Sequence, residues 1–310
     1  MKKDQYSRSQ FIKSVALAGI SLKLPSVIAS SEVTVNRNEK KKAGIIGLDT
    51  EHSIAFIQFL NDENARDEFS DYKVIAAYPY GSRDIKSSAE RIPGYTAKAQ
   101  KLNVEIVDSI EKLLEKVDVV FLETNDGRMH VEQALKVIKA GKPVFIDKPM
   151  AVSLSEGLAI VEASKKYRVP IFSSSPVRYI SNVQEVVHGK VGKVIGANTF
   201  SPAKIEKTHP DLFWYGIHGI EILYTVMGTG CKSVARFHVN DTDVVVGMWE
   251  DDRIGTFRGT RSGEGGYGGY GGTVFGEKEN GTVGPFEGYK LLLLRIIEFF
   301  KTGISPVKPE

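Results

Sequence analysis

From Lys42 onward the apolar positions fall into two alternating rhythms. Short runs in which nearly every residue is apolar give way to longer segments in which apolar residues return every third or fourth position. The first pattern suits a strand buried on both faces and the second a helix with one buried face, and their regular exchange marks βαβ units around a parallel sheet. The predicted strands are Ala43–Leu48, Tyr72–Tyr78, Val104–Ile106, Val117–Leu122, Pro143–Ile146 and Ile171–Ser174. The predicted helices between them are His52–Leu60, Ser88–Leu102, Ser109–Leu114, His130–Ala140 and Ser153–Lys166, with Gly141 as a helix stop. This half reads as a Rossmann-type doubly wound fold.

The pattern then changes. Helical spacing at Ile180–Val187 and Gly216–Val226 is joined by β-rich runs at Lys193–Phe200, Ser233–Val239, Asp243–Trp249 and Arg253–Gly259, with Asp251-Asp252 as a hairpin signal. An α+β domain with a mostly antiparallel, open-faced sheet is expected. The glycine-rich run Ser262–Gly272 joins strands, so it is expected to be a loop that brings Tyr267 and Tyr270 over a ligand, or an inert hairpin, rather than a phosphate loop leading into a helix. The expected division is 1–32, 33–175 and 176–310.

Within the first half, the apolar run Val144–Ile146 stops abruptly at Asp147-Lys148-Pro149. In open α/β sheets ligands bind just beyond the carboxyl ends of the strands, so Lys148 is aimed at the place where chemistry occurs. The preceding turn, Gly44-Ile-Ile-Gly47-Leu-Asp49-Thr50-Glu-His52, lies where a dinucleotide fingerprint belongs, yet only Gly47 stands in register. Asp49 and His52 replace the other two glycines. Asp49 is expected to cap the following helix, which puts a carboxylate where a phosphate should lie. Ser82 and Arg83 after the second strand offer no acid for a ribose hydroxyl and favour NADP over NAD. Thr124, Asn125 and His130 occupy the polar loop after the fourth strand, where His130 pins the loop beside the cofactor.

In the second half, His209, Tyr215, His218 and Glu221 cluster just before and inside one helix. His218 and Glu221 stand three apart and share a face. A neutral histidine there takes the proton of a bound alcohol while hydride leaves the same carbon and Lys148 polarises the oxygen. A metal pair completed by His209 or Asp211, and a satisfied core histidine, are the alternatives; no ligand set with metal spacing is visible, so no metal is expected.

Composition narrows the partners. Of the 310 residues 42% are hydrophobic, enough for two domains and a sizeable core. The formal charge of +3 is concentrated in Lys2, Lys3, Arg8, Lys13 and Lys23, which with Asp4 give the first 29 residues +4 and leave the body at −1. A nearly neutral body gives no reason to expect nucleic acid or an anionic membrane. Cys231 alone excludes an internal disulfide framework. The basic start, the apolar stretch Val15–Ile28 and the small-residue exit at Val27-Ile-Ala29 read as an export signal too short and too interrupted to span a membrane. Ser7-Arg-Ser-Gln-Phe-Ile-Lys13 resembles the twin-arginine signal, with Ser9 where its second arginine belongs. A periplasmic or exported protein is expected; a retained, cytoplasmic one is the alternative.

At these residues the chain resembles the Gfo/Idh/MocA oxidoreductases, the family of glucose-fructose oxidoreductase and inositol dehydrogenase, over roughly residues 42–302. Asp147-Lys148-Pro149 matches that family's Glu-Lys-Pro signature, whose Lys-Pro peptide is typically cis. Gly216-Ile217-His218 matches its later Asp-x-Gly-x-His motif, with Trp214 in place of the aspartate, and Arg178 matches a polar position after the sixth strand. The Gly-Leu-Asp-Thr-x-His first turn marks a sub-group. The resemblance implies Lys148 and His218 as catalytic residues. It places Gly47, Asp49, Thr50, Ser82, Arg83, Thr124, Asn125, His130, Asp147 and Lys148 around NAD or NADP, and Arg178, His209, Tyr215 and His218 around a sugar, polyol or glycoside. It further implies a homo-oligomer, dimer or tetramer, joined through the open sheet face. Family members commonly continue into a final helix past the position of Pro309, so a truncated chain or a missing packing element is implied. Two rivals stay open: a related enzyme that cleaves glycosides with a retained redox cofactor, and a sugar-binding protein that has lost catalysis.

Overall fold

The computed structural model describes residues 40–62, 67–261 and 269–308. The first layer is built from strands β1 (Lys41–Ile46), β2 (Tyr72–Tyr78), β3 (Glu105–Ile106), β4 (Val119–Leu122), β5 (Val144–Ile146) and β6 (Ile171–Ser173). They form one parallel sheet in the order β3-β2-β1-β4-β5-β6, so the order reverses between β1 and β4. Between them run helices α1 (Glu51–Asn61), α2 (Lys86–Lys101), α3 (Ile110–Leu114), α4 (His130–Lys139) and α5 (Leu154–Tyr167). Each expected strand and helix of this half is present, with ends displaced by a residue or two. The displacements have local causes. Ser109 and Ser153, read as first helical residues, are N-caps whose hydroxyls accept the amide hydrogens of Lys112 at 3.2 Å and Glu156 at 3.3 Å.

The alternation of side chains along the strands separates two cores. On one face Phe121, Phe145 and Phe172 stand in register on β4, β5 and β6, with neighbouring ring centroids 6.5 and 5.2 Å apart. Phe56 of α1 packs on them from outside. The other face buries Val120, Leu122, Val144 and Ile146 under Leu113, Val137 and Ile160. Since β4 and β5 are covered on both sides, their sequences read as continuous apolar runs.

The second layer contains α6 (Ser181–Val187), β7 (Val194–Pro202), α7 (Ile217–Met227), β8 (Cys231–Val239), β9 (Thr242–Trp249), β10 (Ile254–Thr260), β11 (Gly271–Gly276) and β12 (Asn280–Val283). The six strands are ordered β12-β11-β7-β10-β9-β8. All neighbours are antiparallel except β7 and β10, which run parallel. Helices α6 and α7 cover one face, where Trp249, Phe257, Val274, Ile222 and Met227 form a third core. The opposite face carries exposed Phe237 and Val239 on β8.

Two features depart from the sequence reading. Gly271 and Gly272, expected in a loop, open β11, because the backbone of Asn198 and Thr199 passes too close for any Cβ at Gly272. Tyr267 and the rest of residues 262–268 lie outside the described residues, as do 1–39. Helix α8 (Lys290–Thr302) was not foreseen. It returns to the first layer and buries Phe299 and Phe300 against Phe172 and Phe121. Among the described residues no helix is long and apolar enough to cross a membrane.

Candidate active site

The carboxyl ends of β1, β4 and β5 open beside the start of α7, and the ionisable residues gather there. Lys148 follows β5, is 8% exposed, and is joined to Pro149 by a cis peptide. Its Nζ lies 5.6 Å from the Tyr215 ring centroid and 5.9 Å from that of Trp214, within reach of their π faces. Burial pulls the Lys148 ammonium below the usual lysine range, while Asp147 and Glu123 work against that fall.

His218, in the first turn of α7, faces the same aromatic group. Its ring centroid is 5.8 Å from Tyr215 and 5.4 Å from Tyr270, and its Nδ1 is 2.6 Å from Ser175 Oγ. Burial, then the charge of Lys148, holds its pKa well below the ordinary value, so the imidazole is neutral at neutral pH. Lys148 and His218 thus share one electrostatic neighbourhood, with Tyr215 between them.

Glu221, a turn further along α7, does not complete a metal pair with His218. Its carboxylate accepts from the Ser174 hydroxyl at 2.6 Å, the Ser175 amide at 3.0 Å and Arg178 Nε at 2.9 Å. His209 Nε2 accepts the Gly127 amide hydrogen at 3.2 Å, and Asp211 pairs with Arg236. The His218-centred metal alternative is therefore overturned: its three companions are committed elsewhere. Arg178 lines a cavity of about 360 Å³ together with Lys148 and Glu221. His209, Tyr215 and His218 lie outside that cavity's lining.

At the crevice where the strand order reverses, Gly47 has φ +92°, and a Cβ there would lie 2.5 Å from the Thr124 amide nitrogen. Only glycine fits this turn. Asp49 does not cap α1. Thr50 does, through Ser53 N at 3.3 Å, while Asp49 Oδ1 accepts from the Asn125 amide at 3.0 Å. The Asp49 carboxylate packs against Gly81, where a Cβ would fall 2.0 Å from Oδ2. Burial pushes its pKa up to about 6. Ser82 is buried and donates to Asp84 at 2.5 Å, and Arg128 spans Asp84 and Asp126; Arg83 is exposed beside the Tyr80 ring. Asn125 Nδ2 donates to Ser88 at 3.1 Å. His130 is fully buried between two backbone oxygens, Pro149 O at 2.9 Å from Nδ1 and Thr124 O at 2.6 Å from Nε2, so it ties the β4 and β5 loops together.

Sequence reasoning missed two residues here. His52 was seen only as an interruption of the fingerprint, yet its Nδ1 is 2.9 Å from Asp147 Oδ2 and its ring is 4.5 Å from that of Tyr289. Glu123, just past the end of β4, was not singled out; it is fully buried beside the same pair.

Residues 41–174 match the family model described as oxidoreductase family, NAD-binding Rossmann fold. These residues are similar to the Gfo/Idh/MocA oxidoreductases. The 1,5-anhydro-D-fructose reductase of Ensifer adhaerens is 30% identical over 122 residues, 37% of this chain and 36% of the relative. The inositol 2-dehydrogenase of Serratia proteamaculans is 41% identical over 68 residues, 22% of this chain and 20% of the relative. The chain thus spans about a third or less of the length of these two curated relatives. The fold likeness extends much further. The myo-inositol 2-dehydrogenase of Lactobacillus plantarum superposes with a TM-score of 0.67 at 17% identity, covering 87% of this chain and 92% of that one. The scyllo-inositol dehydrogenase of Lactobacillus casei, solved with NAD(H) and scyllo-inositol, gives 0.65 at 15% identity, covering 86% and 89%.

The dinucleotide of the matching family fits the first layer at its turn. Gly47 leaves a cradle that a side chain would fill, and the buried Thr124 Oγ1 beside it has no hydrogen-bond partner. Buried polar atoms of this kind are normally satisfied, and a ligand in the crevice satisfies this one. Asp49 puts a buried carboxylate beside the same turn, and a negative charge there would oppose a diphosphate.

Proposed function

We propose that the chain is an NAD(P)-dependent oxidoreductase acting on a secondary hydroxyl of a sugar, polyol or glycoside. The observation that carries this reading is the convergence of Lys148 and His218 on Tyr215, beside the crevice of an NAD-binding family fold. When bound, a nicotinamide dinucleotide supplies the hydride acceptor. Gly47, Thr50 and Thr124 line its place at the strand-order reversal, and Ser82 and Arg83 its outer end.

The chain's own residues would then divide the proton chemistry. With Nδ1–H donated to Ser175 Oγ, which also accepts from Val177 N at 3.4 Å, the lone pair of His218 stands on Nε2. There it takes the hydroxyl proton of the substrate. The Lys148 ammonium, dehydrated by its surroundings, holds the developing negative oxygen, and a fixed charge in a water-poor site acts more strongly than the same charge in water. Tyr215, Trp214 and Tyr270 present the flat apolar walls on which a sugar ring packs. Arg178 and His209 stand behind the first contacts, each held by a partner.

The exposed apolar side chains Phe237 and Val239 of β8 support assembly of a homo-oligomer through the open sheet face. The basic, then apolar, start of the sequence supports export. One rival has a specific observation behind it: the buried Asp49 carboxylate favours a sugar-binding protein without redox activity. Titrating the full chain with NAD and with NADP decides between them. Binding below millimolar concentration by either supports the enzyme. No binding of either, at pH 5 and at pH 8, leaves the binding protein.

A further inference from the structure

We infer that His52, Asp147 and Glu123 form a binding site for one divalent cation that accepts mixed nitrogen and oxygen donors, such as Mn²⁺ or Zn²⁺. One donor atom from each lies within 4.8 Å of the other two. His52 Nδ1 is 2.9 Å from Asp147 Oδ2 and 3.9 Å from Glu123 Oε2. Donors bound at about 2.0–2.2 Å around one ion are spaced on that scale, so the set needs contraction rather than rearrangement.

The three donors come from three neighbouring elements, the first turn of α1 and the ends of β4 and β5. The two carboxylates sit on backbone already fixed by the sheet: the Glu123 amide donates to Ile46 O at 2.7 Å and the Asp147 amide to Leu122 O at 2.9 Å. Such anchoring on strands is what a preorganised ligand set requires.

A second observation points to a missing ligand. Glu123 and Asp147 are both fully buried; neither carboxylate oxygen of Glu123 has a hydrogen-bond partner, while Asp147 Oδ2 has His52 Nδ1 at 2.9 Å. Burying one carboxylate without donors is costly; burying two side by side needs a compensating charge. No thiolate is present, and an imidazole with two carboxylates suits manganese, iron or zinc better than copper(I). The His52 ring, 7% exposed, borders the aromatic cleft at Tyr289, so an ion held by three protein donors keeps positions open towards a ligand there. This site was invisible in the sequence, where its members stand at 52, 123 and 147 in no ligand spacing.

The test uses the full chain after chelator treatment, titrated with Mn²⁺ by electron paramagnetic resonance of the free ion and with Zn²⁺ by calorimetry. One ion per chain, bound at micromolar concentration or below, is expected for at least one metal. His52→Ala and the isosteric Glu123→Gln should each weaken it by more than about 10-fold, whereas Asp211→Asn, whose partner is Arg236, should leave it unchanged. Circular dichroism of the metal-free variants checks that each is folded; should His52→Ala fail, Glu123→Gln decides. Absence of saturable binding up to millimolar metal overturns the inference. So does binding that neither substitution weakens, or an infrared carboxylic-acid band that vanishes in Glu123→Gln and persists unaltered with metal, which would make a proton the occupant.

Discussion

Asp49 Oδ1 accepts the amide hydrogen of Asn125 at 3.0 Å, a bond that joins the turn after β1 to the turn after β4 across the crevice. The bond partly offsets the burial of the carboxylate without cancelling it, and the pKa stays raised from 3.8 to about 6. A carboxyl whose folded pKa exceeds its unfolded one stabilises the fold when protonated; that contribution is complete below pH 3.8 and is lost as pH rises through about 6. That difference corresponds to about 3 kcal/mol. Asp49→Asn should therefore match the parent near pH 3.5 and exceed it by about 3 kcal/mol at pH 8. Urea unfolding at the two pH values measures this, and an identical difference at both would refute it. The same protonation removes a negative charge from the phosphate cradle, so dinucleotide affinity of the parent should rise as pH falls from 8 to 5, and Asp49→Asn should flatten that dependence.

Lys148 is predicted to act on the reacting oxygen rather than to hold the fold. Lys148→Met keeps the length of the side chain and its packing on Trp214 and Tyr215 while removing the charge. Turnover should drop by about 100-fold or more, in the range lost when one preorganised electrostatic donor is removed, with dinucleotide affinity within a few-fold of the parent. A loss of dinucleotide binding equal to the loss of turnover would reassign Lys148 to the cofactor.

The depressed pKa of His218 sets the acid limit of the reaction. Burial and the adjacent Lys148 charge favour neutral imidazole, so the acid limb of kcat should lie below the ordinary histidine range near 6.5. Removing the Lys148 charge takes away one cause of the depression, and in Lys148→Met the His218 titration should move upward. Nitrogen-15 chemical shifts of the imidazole follow this without requiring activity. A titration that stays fixed when the charge is removed would show that the two residues do not interact.

Why the fold was legible and part of the site was not follows from where information sits in a chain. Apolar runs such as Val119–Leu122 and Val144–Ile146 declare buried parallel strands locally, and Gly141 declares a helix end, so the first layer needed no distant partner to be read. Helix α8 escaped because Leu291–Leu294 and Ile296–Ile297 are apolar on too many sides to show one face; only its burial against Phe121 and Phe172 gives it a place. Lys148 and His218 announced themselves through short motifs at element ends. Glu123 and His52 did not, since their meaning lies in a contact across 71 residues of sequence, which no local pattern records. The one available signal was His52 itself, a bulky ionisable residue where a glycine was expected.

Gly219 makes the last link between packing and chemistry. It follows His218 on the side of α7 that rests on the second sheet, where an added Cβ would come within 2.4 Å of Phe257 Cε2 and 2.8 Å of Ser201 Oγ. Phe257 is 1% exposed and belongs to the third core, so it has little room to yield. Thr199 Oγ1 also donates to Gly219 O at 3.0 Å, which fastens the helix to β7 at this same residue. Gly219→Ala should push the first turn of α7 off the sheet and cost about 1–3 kcal/mol, the usual penalty for overpacking a filled interior. Because that turn carries His218, turnover should fall further than the loss of folded protein explains, while dinucleotide binding to the first layer is retained. Phe257→Leu in the same chain frees space for the added methyl group and should recover part of both losses; thermal melts and kcat measured on the single and double variants test it. Full activity in Gly219→Ala would mean that the close approach of α7 to the sheet has no part in placing His218.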